Sequence, residues 1–178
     1  MSTAAEHVTT RLRMTDPRYA EVHEWLVEEA ELLDGHQLEA WLARLADDVT
    51  YRMPVRPTLE NGADDSATYY HLDENFESLW VRVHRVLGGS AWAENPPSRT
   101  RRIVSNVRVA LDATNAEFEA SSYLLLLRSR GDATNYEIMS CDRRDRLRRV
   151  EGDLLVLAYR EILVDQSSLG MANLSVFL

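Results

Sequence analysis

Apolar side chains recur every three or four positions in the first half of the chain and at every second position in much of the rest. Tyr19, Val22, Leu26, Ala30 and Leu33 fall on one stripe of a helix. Asp16-Pro17 opens it, because Asp caps free amides and Pro suits the first helical position. Gly35 stops it. Leu38, Trp41, Leu42 and Leu45 predict the inner face of a shorter second helix. Val49–Arg56 then alternates, with Tyr51, Met53 and Val55 on one side and Arg52, Pro54 and Arg56 on the other. Pro54 cannot donate to a ladder, so this strand lies at an edge or carries a bulge. Residues 58–68 predict a long polar loop. Asp73 is placed to cap a third helix reaching about Leu87, with Phe76, Leu79, Trp80, Val83 and Leu87 as its stripe and Gly88-Gly89 as its stop.

Four strands complete the pattern: Thr100–Leu111, Glu117–Arg128, Asn135–Arg149 and Leu154–Asp165. The breaks between them are short, as between antiparallel neighbours. In the first of the four, Ile103, Ser105, Val107, Val109 and Leu111 share a face, and Arg102, Val104, Asn106 and Arg108 share the other. Helices gathered early and strands gathered late predict an α+β fold, a curved, mainly antiparallel or mixed sheet wrapped over N-terminal helices. A length of 178 residues suits one core. Residues 1–15 are expected to be a flexible polar arm, and residues 16–178 a single domain.

Charge narrows the partners. All 20 basic residues are arginine and the net charge is −9, which opposes binding to a phosphate backbone. Arginine suits bidentate pairing with carboxylates, including those of another protein. Arg99, Arg101 and Arg102 follow Pro96-Pro97, and Arg144, Arg146 and Arg148 project from one strand face. Such a row is either a solvated face or an interface that meets a partner's carboxylates. Trp92, beside the first group, is either an anchor of that interface or a lid on the core. The N-terminus lacks the apolar stretch of a signal peptide. No apolar run approaches the ~20 residues that span a bilayer. A soluble, cytoplasmic protein is expected. Cys141, the only cysteine, excludes an internal disulfide.

Catalytic chemistry finds little support. A Rieske cluster needs two Cys and two His. His7, His23, His36, His71 and His84 lack ligand spacing, and His71 with Asp73 is an incomplete set. Glycine-rich phosphate loops and nucleophile elbows are missing. Cys141 within a strand reads as a packed side chain. No catalytic, cofactor-binding or metal-binding residue is therefore expected. The competing reading is a stand-alone dehydratase, isomerase or cyclase, with an acid–base set drawn from Asp34, Tyr51, Tyr69 and His84.

Six segments, in order, carry a resemblance. They are "EAELLDGHQLEAWLARLADDVTYRMPVR", "YHLDENFESLWVRVHRV", "AWAENPPSRTRRIVSNVRV", "CDRRDRLRR", "LAYREILVDQ" and "NLSVFL". Together they resemble the beta (small) subunits of aromatic-ring-hydroxylating dioxygenases of the biphenyl, toluene and naphthalene type, over about residues 20–178. The resemblance implies the cone-like fold shared with nuclear transport factor two and scytalone dehydratase. It implies a beta homotrimer carrying three alpha subunits, which hold the Rieske [2Fe-2S] cluster and the mononuclear iron and convert arenes to cis-dihydrodiols. It implies a scaffold role without catalytic residues for this chain; the expectation of no nucleic-acid or membrane partner comes from the net charge and the lack of a long apolar run. Many members have histidine at the position of Arg102, so a contact made there would have changed charge. Arg99, Arg101, Arg102, Arg144, Arg146, Arg148 and Trp92 are the candidate subunit-contact residues.

Overall fold

The computed structural model describes residues 9–55, 69–88, 94, 97–112, 117–166, 169–171 and 174–178. The helices are α1 (Pro17–Asp34), α2 (Leu38–Leu42) and α3 (Phe76–Leu87). The strands are β1 (Thr9–Arg11), β2 (Leu45–Pro54), β3 (Tyr70–Asn75), β4 (Arg99–Asp112), β5 (Phe118–Ser129), β6 (Glu137–Val150) and β7 (Leu154–Val164). One mixed sheet runs β1-β4-β5-β6-β7-β2-β3. Only the β2–β7 pair is parallel among these neighbours. The expected α+β cone is present: a curved sheet encloses α1, and α2 and α3 pack at its sides.

Helix α1 forms where its stripe and caps place it. Asp16 accepts from the Arg18 amide at 3.0 Å, and Gly35 donates to the Glu31 carbonyl at 2.8 Å. Tyr19, Val22, Leu26, Ala30 and Leu33 are all buried. Two polar tips tie the helix to the sheet: Tyr19 Oη donates to the Val107 carbonyl at 3.0 Å, and Trp25 Nε1 to the Leu155 carbonyl at 2.9 Å. An aromatic ring that buries its body and satisfies its tip fixes orientation as well as depth.

Several local expectations are corrected. Within the expected arm, Thr9–Arg11 pairs with β4 and Leu12 is buried. Leu45 belongs to β2, not to the second helix. Pro54 sits at a register shift, so the bulge alternative holds. Asp73 caps nothing. It lies in β3 opposite Arg52, and the two form an ion pair at 2.8 Å. Asn75 caps α3 instead, in a reciprocal capping box with Ser78. On α3 only Leu79 and Val83 are buried, while Trp80 is 47% and Leu87 46% exposed. The predicted loop 58–68 lies outside the described residues.

The β4 faces change partway along. Thr100, Arg102 and Val104 point to the cone interior, and Ile103 is 51% exposed. Beyond a register shift between Ser105 and Arg108, Val109 faces inward. Asn106 has φ 51°, the left-handed conformation that lets an extra residue bulge out and reverses the alternation. Ile103 and Ser105 therefore do not share the face of Val107, Val109 and Leu111. Replacing exposed Asn106 by valine should cost about 1–2 kcal/mol, since a β-branched side chain resists positive φ. Asn106→Gly should be near neutral or stabilising. Urea unfolding of both variants checks this.

Candidate functional site

The interior of the cone is closed by charge. Glu29 occupies a stripe position on α1 between Leu26 and Leu33, facing β6 and β7. Arg160 of β7 holds its carboxylate with two parallel bonds of 2.7 Å, and holds Asp145 of β6 with bonds of 2.7 and 2.9 Å. Arg143 of β6 donates to Glu29 at 3.3 Å and to Ser122 at 3.4 Å, and Trp41 Nε1 donates to Glu29 at 3.1 Å. These four charged residues are at most 3% exposed. Burial alone raises a carboxyl pKa, yet Arg160 and Arg143 outweigh it and hold Glu29 at about 2. Burial alone lowers a guanidinium, and Asp145 and Glu29 overcome it to push Arg160 well above its ordinary value.

The last residues of the chain fill the remaining space. Leu178 is 1% exposed. Its carbonyl accepts from Tyr51 Oη at 2.7 Å and from Arg160 at 2.8 Å, and its amide donates to Tyr51 Oη at 2.8 Å. Phe177 packs on Trp41 with ring centroids 4.5 Å apart, and its carbonyl accepts from Arg102 at 2.6 Å. A cavity of about 30 Å³ is left beside Phe177, lined in part by His36, Leu38 and Thr100. That is water-sized, too small for an organic substrate.

The proposed acid–base set does not converge. Tyr51 is spent on Leu178, and burial raises its pKa. Asp34 accepts from Thr100 at 2.9 Å and from the Arg102 amide at 2.8 Å, and it pairs with the Arg102 guanidinium. His84 Nδ1 donates to the Trp80 carbonyl at 2.9 Å, with its ring stacked on the Trp80 ring. Tyr69 is 70% exposed. Burial raises the Cys141 thiol to about 11, so it is no ready nucleophile. Among the described residues, no group of three His, Cys, Asp or Glu is placed to hold a metal ion. No described helix is long and apolar enough to cross a membrane.

The candidate contact residues separate into three groups. Arg102 is removed from the surface: its side chain is 2% exposed and bridges Asp34 to the Phe177 carbonyl. The β4 alternation turns it inward, so its guanidinium belongs to the interior. Arg148 is stitched within the chain to Glu117 at 2.8 Å and Asp48 at 2.9 Å. Arg99, Arg101, Arg144 and Arg146 face outward. Arg99 donates to the Gly131 carbonyl at 2.8 Å and Arg101 to the Thr100 carbonyl at 2.9 Å. Arg144 and Arg146 reach Glu161 and Glu117 only at 3.7 and 3.9 Å, beyond hydrogen-bonding distance. Trp92 lies outside the described residues. Beside these arginines the outer sheet face carries Ile103, Tyr123, Leu125 and Ile138, each at least 36% exposed. Leu125 pairs with Ile103 across β4–β5, and Leu127 lies between Arg101 and Ile138.

The segment that opens β4 is held from within. Arg128, fully buried, pairs with Glu94 and donates to Ser98 Oγ at 2.9 Å and to Glu137 at 3.3 Å. The Ser98 amide donates to Glu94 at 3.1 Å. Burial would raise the Glu94 pKa, but Ser175, Ser98 and Arg128 bring it below its ordinary value.

Sequence reasoning missed Glu29, Arg143, Asp145 and Arg160. A signal was there: Glu29 interrupts an apolar helical stripe, and Arg160 alternates with Ile162 and Val164 on the buried face of β7. Attention to the outward row Arg144, Arg146 and Arg148 hid the inward row between them.

This is a cone-fold chain closed by its own ion pairs and tail, with arginine and apolar side chains turned outward on its sheet. The family model described as ring hydroxylating beta subunit matches residues 28–171. The benzene 1,2-dioxygenase subunit beta of Pseudomonas putida is 37% identical, over 88% of this chain and 87% of that one. The biphenyl 2,3-dioxygenase subunit beta of Rhodococcus jostii strain RHA1 is 34% identical, over 97% and 98%. A chain of naphthalene 1,2-dioxygenase, solved with indole bound in the active site, superposes with a TM-score of 0.85 at 28% identity, over 94% and 90%. The chain belongs to the family of ring-hydroxylating dioxygenase beta subunits.

Proposed function

We propose that this chain is the scaffold subunit of a cytoplasmic, multicomponent aromatic-ring-hydroxylating dioxygenase. It forms a homotrimer through beta–beta contacts and carries three alpha subunits. The Rieske cluster and the mononuclear iron reside in the alpha subunit, which dihydroxylates an arene to a cis-dihydrodiol. The observation that carries this reading is the family match over residues 28–171, with relatives named as beta subunits matched over most of their length. The small interior cavity agrees with it: among the described residues, the space beside Phe177 is about 30 Å³, too small for an arene. Co-expression with an alpha subunit tests it: the tagged chain should co-purify with a large iron–sulfur protein, and ring hydroxylation should need both. A chain that never retains an alpha subunit would refute it.

The outer sheet face is the proposed assembly surface. Arg101→Glu should weaken assembly at least tenfold, about 1.4 kcal/mol or more, because it sets an unpaired charge against a partner. The melting temperature of the isolated chain should barely move, since Arg101 binds only its neighbour's carbonyl among the described residues. Equal losses in both would mean that the arginine serves the chain itself.

A further inference from the structure

Residues 174–178 are held as a ligand is held. Val176, Phe177 and Leu178 are at most 7% exposed, yet none of residues 174–178 belongs to a helix or strand. Side chains meet their backbone instead. Arg82 of α3 donates to the Leu174 carbonyl. Arg102 of β4 donates to the Phe177 carbonyl through Nε at 3.2 Å and Nη2 at 2.6 Å, and Arg160 of β7 donates to the Leu178 carbonyl at 2.8 Å. Tyr51 of β2 reads both polar atoms of Leu178: its hydroxyl donates to the carbonyl at 2.7 Å and accepts from the amide at 2.8 Å. The Phe177 ring has Trp41 at 4.5 Å and the Arg82 guanidinium at 5.1 Å from its centre. The donors do not need the tail to hold their aim. Each guanidinium has a carboxylate of its own: Asp34 for Arg102, Glu74 at 3.3 Å for Arg82, and Glu29 with Asp145 for Arg160. A site already in its bound geometry gives up little freedom when it is filled.

We propose that the cone interior is a peptide-binding site for an aromatic residue followed by an aliphatic one, and that Phe177 and Leu178 are its resident, separable occupant. This goes beyond the scaffold role and does not depend on it. Recognition has three parts. Trp41 and Arg82 select an aromatic ring, with a cation near its face. Arg102 and Arg160 select two successive carbonyls. Tyr51 requires an N–H between those carbonyls, which an ester or a proline at that position does not supply. The fit is close, since the space left beside Phe177 is about 30 Å³.

Separating the occupant from its site tests the proposal. Phe177→Gly with Leu178→Gly, made in the full chain, removes both side chains of the occupant. The probe is the acetylated peptide Leu-Ser-Val-Phe-Leu, the sequence of residues 174–178. Calorimetric titration should show saturable binding of one peptide per emptied chain. The wild type should bind it roughly tenfold more weakly or worse, because its own tethered tail competes at high effective concentration. The same peptide with alanine for phenylalanine should lose roughly tenfold or more, as one anchor side chain carries much of such an interface. Tyr51→Phe in the emptied chain should weaken the original peptide by roughly tenfold, the effect of losing its bonds to the Leu178 position. The melting temperature of the emptied chain should rise with peptide concentration, since the peptide binds only the folded form. If the emptied chain does not fold alone, peptide present during dilution from urea should restore the folded fraction. A folded emptied chain without saturable binding would overturn the proposal, as would equal binding of the peptide by the wild type or of the alanine peptide by the emptied chain. So would an unfolded emptied chain that the peptide does not rescue.

Discussion

Replacing Glu29 by leucine should lower the stability of the chain by about 3–5 kcal/mol, the range for breaking a buried ion pair from one side. The glutamate is fully buried and answers two guanidiniums at once. Arg160 would keep Asp145, but Arg143 would keep only a 3.4 Å bond to Ser122, and its Nη2 already has no hydrogen-bond partner. The cost comes from the stranded positive charge, so Glu29→Gln, nearly isosteric, should be damaging too. Replacing Glu29, Arg143, Arg160 and Asp145 together with apolar residues of similar volume should cost far less than Glu29→Leu alone. Denaturant midpoints of the three variants provide the comparison.

The same carboxylate sets a pH dependence. Its pKa is depressed in the folded state, from 4.5 to about 2. A depressed carboxyl contributes stability that is fully present above about 4.5 and is lost as pH falls toward 2. Its share of that loss is roughly 3 kcal/mol. In Glu29→Gln the unfolding free energy should therefore fall less steeply between about pH 4.5 and 2 than in the wild type. Parallel curves for the two proteins would mean that Glu29 is not ionised against the arginines.

The parts of this architecture written in local pattern were legible. Each of the four late strands was placed within two residues at both ends, because apolar and polar positions alternate through them and the breaks are turn-like. Helix α1 was equally plain, with a stripe and a cap at each end. What escaped depends on partners distant in sequence. Strand β3 is polar, and it is a strand because it pairs with β2, as in Arg52 opposite Asp73. The face reversal in β4 turns on the backbone of one residue, Asn106, which alternation alone assigns to the wrong side. Arg102 lay next to two outward arginines and shared their reading, although Asp34 and the tail hold it inside. The interior ion network needed the opposite inference, that a charge on an apolar face marks a buried partner. The family resemblance reached the scaffold role without these details, because it rests on segment order and not on which face each arginine takes.

Trp41→Ala should destabilise the chain by about 3–5 kcal/mol, as for other buried large aromatics. The ring is fully buried, with Phe177 at 4.5 Å on one side and Tyr51 edge-on at 6.5 Å. Its loss would open a cavity where α2 meets the tail, and would also remove a hydrogen bond to Glu29. Trp41→Phe separates the two effects: it keeps most of the volume and loses the donor. Glu29 keeps Arg160 and Arg143 in that variant, so its cost should be nearer 1–2 kcal/mol, roughly one buried hydrogen bond plus minor repacking. Calorimetry of both variants checks the order. Similar losses for both would place the weight on the hydrogen bond, and a negligible loss for Trp41→Ala would mean that the tail can withdraw and α2 can collapse onto the sheet. The tail is the sensitive reporter, since Phe177 and Leu178 are seated by Trp41, Tyr51, Arg102 and Arg160 together. In Trp41→Ala, amides of residues 174–178 should lose hydrogen-exchange protection before those of β5 and β6, because local openings begin where fewest contacts remain.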